Sequence, residues 1–146
     1  MNIVEAVKQI LTECPLMLEF TGGIDVDYTE NSTGAFGMFS NGDTLNSTDV
    51  IGGQSRTHNF VLYACNQPLS NYERLEQNNF LLNLGYWLDV QKGFELYNED
   101  ENNTKKITGY IKNMSAKNGM MYDIPTGDIK DGVRYQLQLS VEYYLY

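Results

Sequence analysis

Over its last fourteen residues the chain alternates with a strict period of two. Val133, Tyr135, Leu137, Leu139, Val141, Tyr143 and Leu145 stand against Arg134, Gln136, Gln138, Ser140, Glu142, Tyr144 and Tyr146. Successive side chains of a strand point to opposite faces, so this pattern predicts a long terminal β-strand with one dry face. Two other stretches follow the helical period instead. Ile3, Val7, Ile10 and Leu11 fall at i, i+4, i+7 and i+8, which predicts a helix over 2–13, capped by Asn2 and ended by Pro15. Tyr72, Leu75, Leu81, Leu82, Leu84, Trp87 and Leu88 give a longer helix a wide apolar arc. It opens at the capping box Ser70-Asn71-Tyr72-Glu73, runs to about residue 91, is closed by Gly93, and uses Trp87 as a core anchor.

The remaining segments are read from alternation and turn chemistry. Leu16, Met17 and Leu18 fit either a helical turn or a strand, stopped by Gly22-Gly23. Residues 24–28 form a short strand whose Asp25 and Asp27 face water. From 29 to 53 turn formers outnumber core residues. A hairpin arm fits, with Phe36, Met38 and Phe39 in one strand, Asn41-Gly42 as the tight turn and 44–51 returning. Its apolar residues would then be available to a partner, while the tucking of Phe36 and Phe39 onto their own core is equally open. Residues 56–65 are apolar on both faces and predict a central strand covered on both. The polar run 97–106 reads as an exposed loop. Residues 107–117 and 119–124 read as two antiparallel strands turning at Lys117-Asn118-Gly119, and Pro125 to Asp128 with Asp131-Gly132 leads into the terminal strand. The sum is an α+β fold: a single domain over 1–146, a largely antiparallel sheet packed by two α-helices, and a long hairpin-like arm.

Composition narrows the functional classes. The formal charge is −9 and the pI near 4.4, with ten Lys and Arg scattered along the chain, so direct nucleic-acid binding is not expected. The first twenty residues carry acids where a signal peptide needs a basic start, and no apolar run approaches the roughly 20 residues that span a bilayer. No export and no membrane anchor are expected. Cys14 and Cys65 lack a CxxC or a neighbouring His and read as reduced, partly buried thiols.

Catalytic and metal-binding patterns are weak. His58 has no nucleophile motif around it and reads as a structural or surface histidine. Asp25-Val26-Asp27 has no adjacent ligand, and Glu99-Asp100-Glu101, Asp128 and Asp131 lack the spacing of a calcium loop. Gly22-Gly23 and Gly52-Gly53 lack the Lys-Ser or Lys-Thr of a phosphate loop. No catalytic residue, cofactor or metal is therefore expected. Tyr110, Tyr122, Tyr135, Tyr143, Tyr144 and Tyr146, with Met114, Met120 and Met121, are instead in excess near the end, and Tyr and Met are enriched where proteins meet. Tyr144 and Tyr146 stand on the otherwise polar face of the last strand. They join Phe36, Met38 and Phe39 as candidate subunit-interface residues.

Four phrases carry a resemblance over nearly the whole chain: MNIVEAVKQIL at the start, RTHNFVLYA before the capped helix, NNFLLNLGYWL within it, and NGMMYDIPTGDIKDGVRYQLQLSVEYY near the end. With them the chain resembles the tail terminator or tail-completion proteins of long-tailed bacteriophages and prophages of Gram-positive bacteria. The resemblance implies a non-enzymatic structural protein, found in the virion tail at the head-tail interface and in the host cytoplasm during assembly. It also implies a homo-hexameric ring that ends tail-tube growth, with the tail-tube protein and the head-tail connector as partners. An acidic chain would suit a channel through which DNA passes without sticking. Another head-tail joining or tail-tube protein remains an alternative, as does a small-ligand-binding domain or enzyme.

Overall fold

The computed structural model describes all residues except 21–22, 30–33, 69, 125 and 129–131, and the side chains of Leu18 and Glu19. The expected turn residues Gly22, Asn31, Ser32, Pro125 and Asp131 lie outside the described residues, and Gly23 and Gly132 inside them. Helix α1 spans Ile3–Glu13 and buries Ile3, Ala6, Val7, Ile10 and Leu11. Asn2 caps it reciprocally: its side chain accepts from the Glu5 amide, and the Glu5 carboxylate accepts from the Asn2 amide. Pro15 ends it, as expected, and begins a short 3₁₀ helix, Pro15–Glu19, which resolves the ambiguity at Leu16 and Met17.

Six strands form one sheet in the order β1-β2-β3-β6-β5-β4. They are β1 Ile24–Val26, β2 Phe36–Thr48, β3 Gln54–Asn66, β4 Glu95–Glu99, β5 Lys105–Asp123 and β6 Val133–Leu145, with α2, Asn71–Asp89, between β3 and β4. Among the described residues only the β1–β2 pair is parallel. The terminal strand takes a central place, with every residue from Val133 to Leu145 in register with β3 on one side and β5 on the other through most of its length. Its odd positions, Val133 to Tyr143, are buried, and its even positions are half-buried. The dry face meets α1, α2, Phe36, Met38, Phe60, Leu62, Ala64, Ile111 and Met114 in one continuous core. The α+β class and the largely antiparallel sheet packed by two helices are thus what the sequence implied.

Five local expectations are corrected. Asn41-Gly42 is no hairpin turn: β2 runs through it, Ser40 pairs with Phe60 and Asp43 with His58, so two residues bulge opposite Asn59. The turn falls at Asp49–Gly53 instead. Asn118-Gly119 is likewise a bulge inside the single strand β5, opposite Leu137, with Asn118 at φ 57°. In both places the Asn-Gly pair supplies positive φ, and continuous pairing with a neighbouring strand carries the chain onward instead of back. The expected loop over 97–106 contains the end of β4 and the start of β5, because Tyr97 pairs with Ile107 and Glu99 with Lys105; the turn between them uses Asp100 to accept the Asn102 and Thr104 amides. Residues 56–65 are central, but the second face is covered only in part: Phe60, Leu62 and Ala64 are buried on one side, while on the other Cys65 is buried and Val61 and Tyr63 are half-buried. Finally, the strand expected over 24–28 stops at Val26: β1 is a three-residue edge in which Ile24 packs against the core, while Val26 and, beyond the strand, Tyr28 are exposed.

Helix α2 buries less than its composition suggests. Ser70 caps it by accepting from Glu73, as expected, and Gly93 follows it at φ 75°. Leu81, Leu84, Gly85 and Leu88 are buried and Trp87 packs against the core, yet Tyr72, Leu75 and Leu82 lie on the outside with Tyr86.

Two predictions test the packing. Burial raises the thiols of both Cys14 and Cys65 above their ordinary value. The native protein should therefore react negligibly with an aromatic disulfide reagent at neutral pH, and two thiols should titrate once it is unfolded. At Gly109 an added Cβ would lie 2.1 Å from the Tyr144 carbonyl oxygen, across the β5–β6 pair. Gly109→Ala should cost roughly 1–3 kcal/mol in a denaturant titration, and an unchanged midpoint would show that the strands do not approach so closely.

Candidate functional site: the hairpin arm and the open sheet face

The β2–β3 hairpin changes character along its length. Phe36, Gly37 and Met38 are buried, but every β2 residue from Ser40 to Thr48 is exposed. Beyond Met38 the outer edge of β2 has no strand partner among the described residues, which leaves an arm with a free edge. The arm ends in a tight tip. Asp49 accepts from the amides of Ile51 and Gly53 at 3.1 and 2.8 Å, and the Asp49 amide donates to the Gly53 carbonyl at 2.9 Å. Gly52 turns at φ 90°, and a Cβ on Gly53 would strike the Tyr144 hydroxyl. Between these polar anchors Val50 and Ile51 project with relative exposures of 103% and 88%. Two branched aliphatics held in water by a closed turn do not stabilise the isolated chain.

Beside the backbone pairing of β3 with β6, two polar contacts fix the arm on the sheet. The bulge at Asn41-Gly42 turns Asp43 onto the face of His58, where its carboxylate is a hub. Arg56 Nε donates to Oδ1 at 2.7 Å, and the Tyr143 hydroxyl donates to Oδ2 at 2.5 Å, with His58 Nδ1 2.9 Å from the same oxygen. Burial by itself would raise the Asp43 carboxyl, but the bonds from Tyr143, Arg56 and His58, with the Arg56 charge, hold it below the usual value. Burial and the same bond push the Tyr143 phenol up to about 12. Nearer the tip, the Tyr144 hydroxyl donates to Asp49 Oδ2, which lowers the Asp49 carboxyl further.

Ser40 Oγ lies 3.0 Å from His58 Nε2, so Ser40, His58 and Asp43 stand in the hydrogen-bond order of a serine hydrolase. Acyl transfer also needs donors aimed at the developing oxyanion. The Ser40 amide instead donates to Asp27 Oδ1 at 3.3 Å, which brings a carboxylate to that place, and Asp43 is shared with Arg56 and Tyr143. The chain of bonds acts as a pin for the arm, and of the structural and surface places left open for His58 it takes the buried one.

The sheet face opposite the helices is half-open. Phe39 meets Tyr63 edge to face with centroids 5.3 Å apart, and Tyr63 meets Tyr122 at 5.2 Å. At the other end Tyr110, Tyr144 and Tyr146 form a ring cluster at 5.6–6.2 Å, and Lys112 Nζ donates to Ser55 Oγ beside it. Between the two lies a polar strip in which Asn118 donates to Gln138 and Asn113 to Glu142.

The five candidate interface residues therefore part company. Phe36 and Met38 are corrected: each is 1% exposed and belongs to the core, because α1 and α2 cover the face they point to. Phe39 is half-buried on the open face, Tyr144 is half-buried and pins the tip, and Tyr146 remains 70% exposed. Sequence reasoning missed Val50 and Ile51, although an apolar pair inside Asp49-Val50-Ile51-Gly52-Gly53 is a visible signal. It also missed Asp43, whose role depends on the bulge. Among the described residues no group of three His, Cys, Asp or Glu could hold a metal, and no helix is long and apolar enough to cross a membrane. A scan against protein-family models and a search of curated proteins return no match to the chain.

Replacing Asp43 by Asn removes a charged acceptor and leaves the buried Tyr143 hydroxyl and His58 poorly paired. At neutral pH this should lower stability by about 1–3 kcal/mol. Asp43 is depressed in the folded protein, so its contribution is present above the unfolded carboxyl value of about 3.9 and is lost as pH falls through the folded value. The gap between wild type and Asp43→Asn, followed by chemical denaturation, should hence narrow below about pH 4. A gap independent of pH would mean that the carboxylate charge is not what holds the arm.

Proposed function

We propose that this chain is a non-enzymatic bacteriophage structural protein that assembles as a ring at the end of the tail tube, ends tube growth and offers a joining surface to the head connector. The observation that carries the reading is the arm: a pinned hairpin with a free edge and a bare aliphatic tip, on a subunit whose other surfaces differ from it. A ring needs a heterologous interface, in which one patch meets a different patch on the neighbour. The sheet edge and the aromatic clusters of the open face add surface for such pairing. The resemblance of the RTHNFVLYA, NNFLLNLGYWL and C-terminal phrases to tail terminators supports the same reading.

A tail-tube protein shares these needs and is the second reading, favoured by the same free strand edge. The two differ in how assembly stops. Negative-stain microscopy with mass measurement in solution, over a range of concentration and salt, should show closed rings of one size, with the hexamer expected from the resemblance. Long stacked tubes would replace the terminator by a tube protein. A chain that stays monomeric and fails to bind the open end of isolated tail tubes would overturn both.

A further inference from the structure

Two bulges flank the middle of the sheet. Asn41-Gly42 interrupts β2 opposite Asn59, and Asn118-Gly119 interrupts β5 opposite Leu137, while the central pair β3–β6 keeps an unbroken register between them. Bulges bend the strand that carries them and re-aim its side chains. Between these two lies a cleft of about 240 Å³. Asn41 of β2 and Lys117 of β5 stand on its two sides, and Asn59, Gln138 and Ser140 of the central pair line it. Asn118 donates to Gln138 Oε1, which leaves the Gln138 amide protons free to donate. The side chains of Asn41, Asn59 and Ser140 hydrogen-bond to no other described residue.

The cleft is the middle of a longer strip on the open face. Phe39 pairs with Val61, two residues along β3 from Asn59 and so about 7 Å away, and begins the row Phe39, Tyr63, Tyr122. In the other direction Tyr144, with Tyr110 and Tyr146, is four residues along β6 from Ser140, about 13 Å. Rings thus stand at both ends of a polar strip about 26 Å long, from Gln136 beside Tyr63 to Tyr144. Charge narrows what fits it. Along this strip the open-face residues of β3 and β6 are Val61, Asn59, Thr57, Gln138, Ser140 and Glu142, and the single carboxylate among them accepts from Asn113. In a chain of net charge −9 a polyanion is repelled, and a cationic ligand meets no free carboxylate on these two strands. A protein partner fits poorly as well, since protein interfaces have an apolar centre and a polar rim, and this face has the reverse.

From this we infer that the open face binds a neutral saccharide chain, with hydroxyls in the cleft between the two bulges and sugar rings on the tyrosines. A pyranose ring shows C–H groups on its faces and hydroxyls around its edge. Aromatic side chains offer flat apolar faces to the first. Carboxamides donate and accept at once, so Asn41, Asn59 and Gln138 can serve neighbouring hydroxyls of the second. The site lies off the tip of the arm, and the inference does not rest on the ring reading.

Isothermal titration of the purified chain with cellohexaose, maltohexaose, chitohexaose and mannohexaose tests it. At least one should bind with Kd below about 1 mM, and Gln138→Ala and Tyr122→Ala should each weaken that binding by about tenfold or more. Tyr122 is exposed, so its truncation opens no core, and a denaturant titration checks that both variants are folded. Leu75→Ala, on the outside of α2, should bind as wild type does. No binding of any of the four would overturn the site, and rings observed in the same sample would leave the ring reading standing. Binding that both variants retain would overturn its placement on this face. Displacement of the sugar by heparin or by oligothymidylate would overturn the neutral ligand in favour of an anion.

Discussion

The structure depends on one constraint: a thirteen-residue strand with a fully dry face has to be paired on both sides. β6 meets it by lying between β3 and β5, so both of its edges are taken up by backbone hydrogen bonds. Its period of two then sets the register of the whole sheet, since a slip of one residue would turn Tyr135, Leu137, Leu139 and Val141 out to water. The faces of β3 and β5 follow from that register, and so does the side on which α1 and α2 must pack. The helices come from separate parts of the chain, yet they share one core because β6 has only one dry face to offer.

What the core leaves over is consistent in kind. The arm beyond Met38, the outside of α2 and the sheet face opposite the helices are all outside the core, and each carries apolar or aromatic groups that the monomer does not bury. The arm is nevertheless held in place. Asp43 gathers Arg56, His58 and Tyr143, and Asp49 takes the Tyr144 hydroxyl, so adjacent residues of β6 grip the hairpin from the two faces of the sheet. An arm fixed before it meets a partner loses less conformational entropy on binding than a free loop would. In the assembly proposed above, this rigidity would set the direction in which each subunit reaches its neighbour.

The same polar cluster shows why side-chain order alone does not define a catalytic site. Ser40, His58 and Asp43 have the hydrogen-bond sequence of a hydrolase, but their surroundings supply a carboxylate from Asp27 at the Ser40 amide and a competing cation at Asp43. Electrostatics of that sign hold a hairpin together and oppose a developing oxyanion.

The amino-acid sequence by itself determined the elements whose signals are local and strong: α1 with its Asn2 cap, α2 with its Ser70 cap, and β6 with its seven-fold alternation. Periodicity and capping act over a few residues, so they can be read without knowing the neighbours. Tertiary structure decided the rest. Asn41-Gly42 and Asn118-Gly119 supply the positive φ that a hairpin turn or a bulge can use, and only the strand lying alongside determines which one forms. The two ends of the polar run at 97–106 became strand because they pair with each other in β4 and β5, and the apolar arc of α2 was only partly buried because a helix on one sheet covers one stripe of itself. Asp43 reached His58, and the Tyr144 hydroxyl reached Asp49, through register set far along the chain. Contacts between residues about a hundred positions apart leave no local mark in the sequence.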